Sequence, residues 1–142
     1  MGIWDIGFFD NDIACDWENQ LKHRKELNYI ETEFRELLTN TEDVIDIELA
    51  SKSLAAAEAL ARLVLKDGES TTYTKHLDSW VQDGQLGIKA DLVTMAIKSV
   101  TKNIELDSEL KQLLTLRGDY LPWCKEVENL LKRLNNCLEI LQ

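Results

Sequence analysis

The sequence predicts an all-α fold, a compact single-domain bundle of about six to seven helices with an irregular N-terminal segment packed on the core. Three observations carry that expectation. The chain has 142 residues with one proline and six glycines, so long stretches run without a helix breaker. Leu, Glu, Lys and Ala, all favourable in helices, are abundant. Apolar residues recur at helical rather than strand spacing. A hydrophobic fraction of 44% beside 30% charged residues suits one soluble core and argues against disorder.

The elements follow in order. Ile13, Ala14, Trp17 and Leu21 form the stripe of a first helix starting at Asn11 or Asp12. Leu27, Ile30, Phe34, Leu37 and Leu38 mark a second, from about Glu26 to Leu38. A third spans roughly Asp43 to Lys66, with Ile47, Leu54, Ala57, Ala61 and Leu65 on its inner face and Gly68 beyond its end. Six alanines between Ala50 and Ala61 permit close helix approach and make it the expected central helix. A loop over 67–72 leads to a short helix near Tyr73–Val81 carrying Leu77 and Trp80. The fifth runs from about Lys89 to Ile104, and Asp107 or Ser108 caps a sixth holding Leu110, Leu113 and Leu114. The last begins near Leu121 with Pro122 in its first turn, where a missing N–H costs little. No strand and no internal repeat is expected.

Charge is unevenly distributed. Of the net −10, residues 1–48 contribute 13 acids against 4 bases, a net of −9. Such a field repels nucleic acid and anionic membranes and attracts basic partners. The most apolar stretch, Leu54 to Leu65, is interrupted by Glu58 and Arg62 and falls short of the roughly 20 residues a membrane span needs. The N-terminus has neither the basic nor the apolar region of a signal peptide, and Ile6 stands where a myristoylation motif wants Ser or Thr. Cys15, Cys124 and Cys137 are an odd set, which suits reduced thiols in a cytoplasm. Cys124 and Cys137 on one helix would lie roughly 20 Å apart, too far for a disulfide.

Motifs for chemistry are scarce. Asp10, Asp12 and Asp16 suggest a hard-cation site, yet an EF-hand starting at Asp10 needs Gly and Glu where Cys15 and Leu21 stand. A helix start explains them better: Asp10 or Asn11 caps, Asp12 and Asp16 face the positive end of the helix dipole, and Phe8 or Phe9 staples to the apolar face. His23 lies in a basic run and His76 at the rim of an apolar stripe, neither beside a nucleophile motif. Gly84-Gln-Leu-Gly87 lacks the lysine of a phosphate loop, and Arg117-Gly118-Asp119 reads as a helix stop. No catalytic residue, metal ligand or cofactor is expected. Trp17, Trp80 and Trp123 fall on helical stripes, while Trp4 precedes the first helix and is expected to lid the core.

The N-terminus Met1-Gly2-x-Trp4-x-x-Gly7-x-Phe9-Asp10-Asn11-Asp12-x-Ala14-x-Asp16-Trp17 resembles the signature of the bacterial domain-of-unknown-function family numbered 4259. The alanine-rich Ser53–Leu63 and the closing Trp123, Val127, Leu130 and Leu134 resemble its central and final helices. The chain departs from it at Phe8, where members often carry a small residue or proline. The resemblance implies a small helical cytoplasmic bacterial protein with no assigned catalytic residues or cofactor, of a kind suspected to be immunity proteins encoded beside secreted toxins. Gly2, Trp4, Gly7, Phe9, Asp10, Asn11, Asp12 and Trp17 are then structural marks.

The expected function is non-enzymatic. An acidic helical surface carrying Asp12, Asp16, Glu31, Glu42, Asp43, Asp46 and Glu48 would bind and neutralise a basic toxin domain, such as a nuclease. One alternative is a metal-binding or metal-dependent hydrolytic protein using Asp10, Asp12 and Asp16. Another is an oligomeric structural or regulatory protein paired through leftover apolar faces.

Overall fold

The computed structural model describes residues 5–85 and 87–142, so Gly2 and Trp4, with the lid expected of Trp4, lie outside the described residues. The described chain is all-α. Its helices are α1 (Asp12–Gln20), α2 (Leu27–Thr39), α3 (Ile47–Leu65), α4 (Lys75–Asp83), α5 (Ala90–Glu105), α6 (Glu109–Arg117) and α7 (Tyr120–Leu141). No helix of the described residues is long and apolar enough to cross a membrane.

One feature departs from the expected all-helical course. Val44–Ile45 (β1) and Asp107–Ser108 (β2) pair in parallel, Val44 with Asp107 and Ile45 with Ser108. Two residues are too short to show alternation in sequence, and tertiary proximity makes the pair. The pairing also delays α3, which starts at Ile47 rather than near Asp43 because Asp46 is its N-cap, its carboxylate accepting from Leu49 N at 2.8 Å. Ser108 caps α6 through Lys111 N at 3.0 Å, and the Glu109 carboxylate accepts from Ile47 N at 2.8 Å. The first turns of α3 and α6 are thereby fastened side by side.

α3 is the central helix, as the alanines require. It touches α1, α2, α4, α5, α6 and α7, and every residue from Ser53 to Ala61 is buried. Methyl side chains let neighbouring backbones approach, so burial extends round the whole helix and beyond one stripe. Phe34, Leu54, Leu60, Leu77, Trp80, Leu130 and Leu134 fill the space around it. Asn103 of α5 is satisfied inside this core by donating to Ser53 Oγ at 3.0 Å and Ser99 O at 3.2 Å.

Helix ends depend on side chains from elsewhere in the chain. The buried Glu18 carboxylate of α1 accepts from His76 N at 2.6 Å and Leu77 N at 2.9 Å, occupying the first turn of α4. Lys102 of α5 donates to Leu37 O at 2.8 Å and Asn40 O at 2.7 Å, closing α2. The buried Lys111 of α6 donates to Ile104 O and Leu106 O at the end of α5. Each places a full charge against the favourable pole of a helix and satisfies groups that no intrahelical partner can reach. Lys102→Met keeps the aliphatic stem and deletes both donors. It is expected to lower stability by about 1–2 kcal/mol, read from the urea midpoint.

Candidate functional site

The signature turn is built by its own backbone and carboxylate. Asp10 N donates to Gly7 O, and Gly7 N donates back to Asp10 Oδ2, each at 3.0 Å. A Cβ at position 7 would lie 2.3 Å from Asp10 Oδ2, so the reciprocal pair requires glycine there. Asn11, rather than Asp10, is the N-cap of α1, accepting from Ala14 N at 2.8 Å. Phe9 is buried in the core and Phe8 is half-buried. The Cys15 thiol donates to Phe9 O at 3.2 Å. Burial pushes the Asp10 carboxyl above its ordinary range, the Gly7 amide opposes this, and Asp5 and Glu69 add repulsion.

The turn is also one wall of a cleft. An open cavity of about 250 Å³ is lined by Gly7–Asp10, by Glu58 and Arg62 of α3, by Gly68, Glu69, Thr71 and Thr74, and by Glu126 and Arg133 of α7. Its floor is an ion network. Buried Glu58 accepts from Arg62 Nε at 2.7 Å and from Arg133 Nη1 at 2.6 Å, one guanidinium on each oxygen. Arg133 grips Asp67 with two further bonds, at 2.9 and 2.6 Å. Burial opposes the charge of Arg133, but the hydrogen bonds to Asp67 and Glu58 outweigh it and hold the proton more firmly than usual. Arg62 also donates to Glu69 O at 3.0 Å and lies over the Phe9 ring, 5.8 Å from its centroid. Gly68 has φ +97, and a Cβ there would meet Arg62 Nε at 2.4 Å, so this loop passes the guanidinium only as glycine.

A second buried carboxyl lies where α1, α2 and α3 meet. Glu33 is 7% exposed. Its Oε2 has no hydrogen-bond partner among the described residues, and neither has the buried Trp17 Nε1. Trp17 stacks on Tyr29 at 5.0 Å, and Tyr29 Oη donates to Trp17 O at 2.8 Å. Burial pushes Glu33 up to about 7, and Glu36 and Glu48 add to the rise while Lys52 opposes it.

The seven surface acids differ in their engagement. Asp12, Asp16, Glu42, Asp43, Asp46 and Glu48 are exposed, and Glu31 is half-buried. Asp46 is committed to capping α3. Glu31 pairs with Arg35 and Glu48 with Lys52, each at 2.7 Å and each one helical turn apart. Asp16, Glu42 and Asp43 make no side-chain hydrogen bond or ion pair among the described residues. Asp10, Asp12 and Asp16 are not gathered into one ligand set; among the described residues no group of three or more His, Cys, Asp or Glu could hold a metal ion.

Reading the sequence did not single out Glu58, Arg62, Arg133 or Glu33. A signal was present for the first two, an i, i+4 acid–base pair set inside an alanine-rich apolar run. Arg133 and Glu33 carry no such mark, because only packing distinguishes them from the other charged residues of α7 and α2.

The family model described as "Domain of unknown function (DUF4259)" matches residues 2–126, and the chain belongs to that family. The matched segment contains every residue lining the cleft except Arg133. No curated protein and no solved structure matches the chain.

Proposed function

We propose that this member of the family is a non-enzymatic binding protein whose acidic surface engages a basic partner domain, in the manner of an immunity protein that occludes a toxin active on nucleic acid. One observation carries the reading. In the first third of the chain, with its net of −9, Asp16, Glu42 and Asp43 stand exposed with their charge uncompensated by any ion pair among the described residues. Carboxylates left unpaired at a surface contribute little to folding. They do project a field that steers a cationic domain toward the surface and penalises anionic competitors.

The buried charge of the cleft is consistent with a binding role, because both oxygens of Glu58 are taken, one by Arg62 and one by Arg133, and the carboxylate is not presented as acid, base or nucleophile. The test is co-expression with products of adjacent genes. A growth-arresting neighbour is expected to be silenced by this chain and to co-purify with it. The variant Asp16→Lys/Glu42→Lys/Asp43→Lys is expected to lose at least tenfold in affinity, and wild-type association to slow as salt rises. Affinity indifferent to both charge reversal and salt would overturn the reading.

A further inference from the structure

We infer that the cleft between the signature turn, α3 and α7 receives a single lysine or arginine side chain of the partner. The inference rests on the reading that the partner is basic, and size and charge carry it further.

At about 250 Å³, the cavity is smaller than the roughly 300–1,000 Å³ of pockets that bury a drug-sized ligand or cofactor. One long side chain is the right scale. The lining carries four carboxylates, Asp10, Glu58, Glu69 and Glu126, against two guanidinium groups. Both guanidinium groups are already engaged: Arg133 by Glu58 and Asp67, and Arg62 by Glu58, Glu69 O and, at 4.0 Å, Asp78. What remains to meet a newcomer is Asp10 Oδ1, the other oxygen being held by Gly7 N, together with the exposed carboxylates of Glu69 and Glu126. Glu126 makes no side-chain hydrogen bond or ion pair among the described residues. Phe8 and Phe9 supply an apolar wall for a methylene stem. Glycine at 7 and 68 keeps the walls where they are.

The experiment is a titration followed by amide NMR, using agmatine and N-acetyl-lysine amide as probes. N-acetyl-norleucine amide serves as the neutral control and inorganic phosphate as the anionic one. Both cations are expected to give saturable shifts confined to Gly7–Asp10 and Gly68–Thr74, absent with either control. Glu126→Gln, an exposed change, and Asp10→Asn, which keeps an oxygen for Gly7 N, are each expected to weaken binding at least threefold, with unshifted distant amides showing that the fold persists. No local response to the cations, an equal response to the neutral amide, or a response to phosphate instead would overturn the cleft assignment. The two readings separate cleanly. If Asp16→Lys/Glu42→Lys/Asp43→Lys abolishes partner binding while Asp10→Asn/Glu126→Gln leaves it intact, the acidic surface stands and the cleft falls. If agmatine fills the cleft while partner affinity ignores the surface acids, the reverse holds.

Discussion

Replacing Glu33 by glutamine is expected to make the protein more stable at alkaline pH, by up to about 3 kcal/mol. The Glu33 carboxyl ordinarily titrates at 4.5 and is pushed to about 7 in the fold, chiefly by burial. At about 1.4 kcal/mol per tenfold change in proton affinity, that gap gives the stated figure. Because the folded value is raised, the stability contributed is full below 4.5 and is lost as pH rises through about 7. Wild-type stability from this group therefore falls between about pH 4.5 and pH 7 and is level above that. Glu33→Gln removes the ionisation and keeps an oxygen beside Trp17. The check is paired urea unfolding at both ends of that range. The stability gap between variant and wild type should widen with pH, and an unchanged gap would refute the assignment.

The opposite sign is expected at Glu58. Glu58→Ala leaves Arg62 and Arg133 facing one another over the cleft floor with their shared carboxylate gone. The side chains are 11% and 23% exposed, and that of Glu58 is 6% exposed, so solvent cannot fully replace it. Breaking a buried pair by deleting one partner typically costs about 3–5 kcal/mol, and a loss in that range is expected from equilibrium unfolding. Adding Arg133→Met should recover part of the loss, since one stranded cation is then removed. A double variant less stable than the sum of the two single changes would show that Glu58 acts through packing instead.

These two carboxylates show where sequence reading reaches and where it stops. Helix stripes such as Leu27, Ile30, Phe34 and Leu37 repeat a period that only one local structure satisfies, so seven helices and an alanine-lined centre were legible. The caps of α1 and α6 were legible to within one residue for the same local reason, as Asp10 or Asn11 and as Asp107 or Ser108, and Asn11 and Ser108 fill the roles. The β1–β2 pair was not, because a two-residue bridge across 62 intervening residues carries no period. Nor was the cleft. The 7–10 turn, Glu58 of α3, and Glu126 with Arg133 of α7 lie far apart in the chain, and their meeting is decided by how α3 and α7 pack. The signature turn was legible as the cap and staple of a helix; that it also walls a cavity follows only from what is opposite it.

The exchange of caps between helices bears on how the protein comes apart. Glu18 serves the start of α4, Lys102 the end of α2, and Lys111 the end of α5, so no terminus so held can fray without breaking a bond to another helix. Isolated helices of 9 to 16 residues, the lengths of α4 and α5, are marginal in water. Here the first turn of α4 and the last turn of α5 are anchored by neighbours that are themselves marginal alone. Local opening is thus made expensive, and the bundle is driven toward a single cooperative transition in which α2, α4 and α5 are lost together.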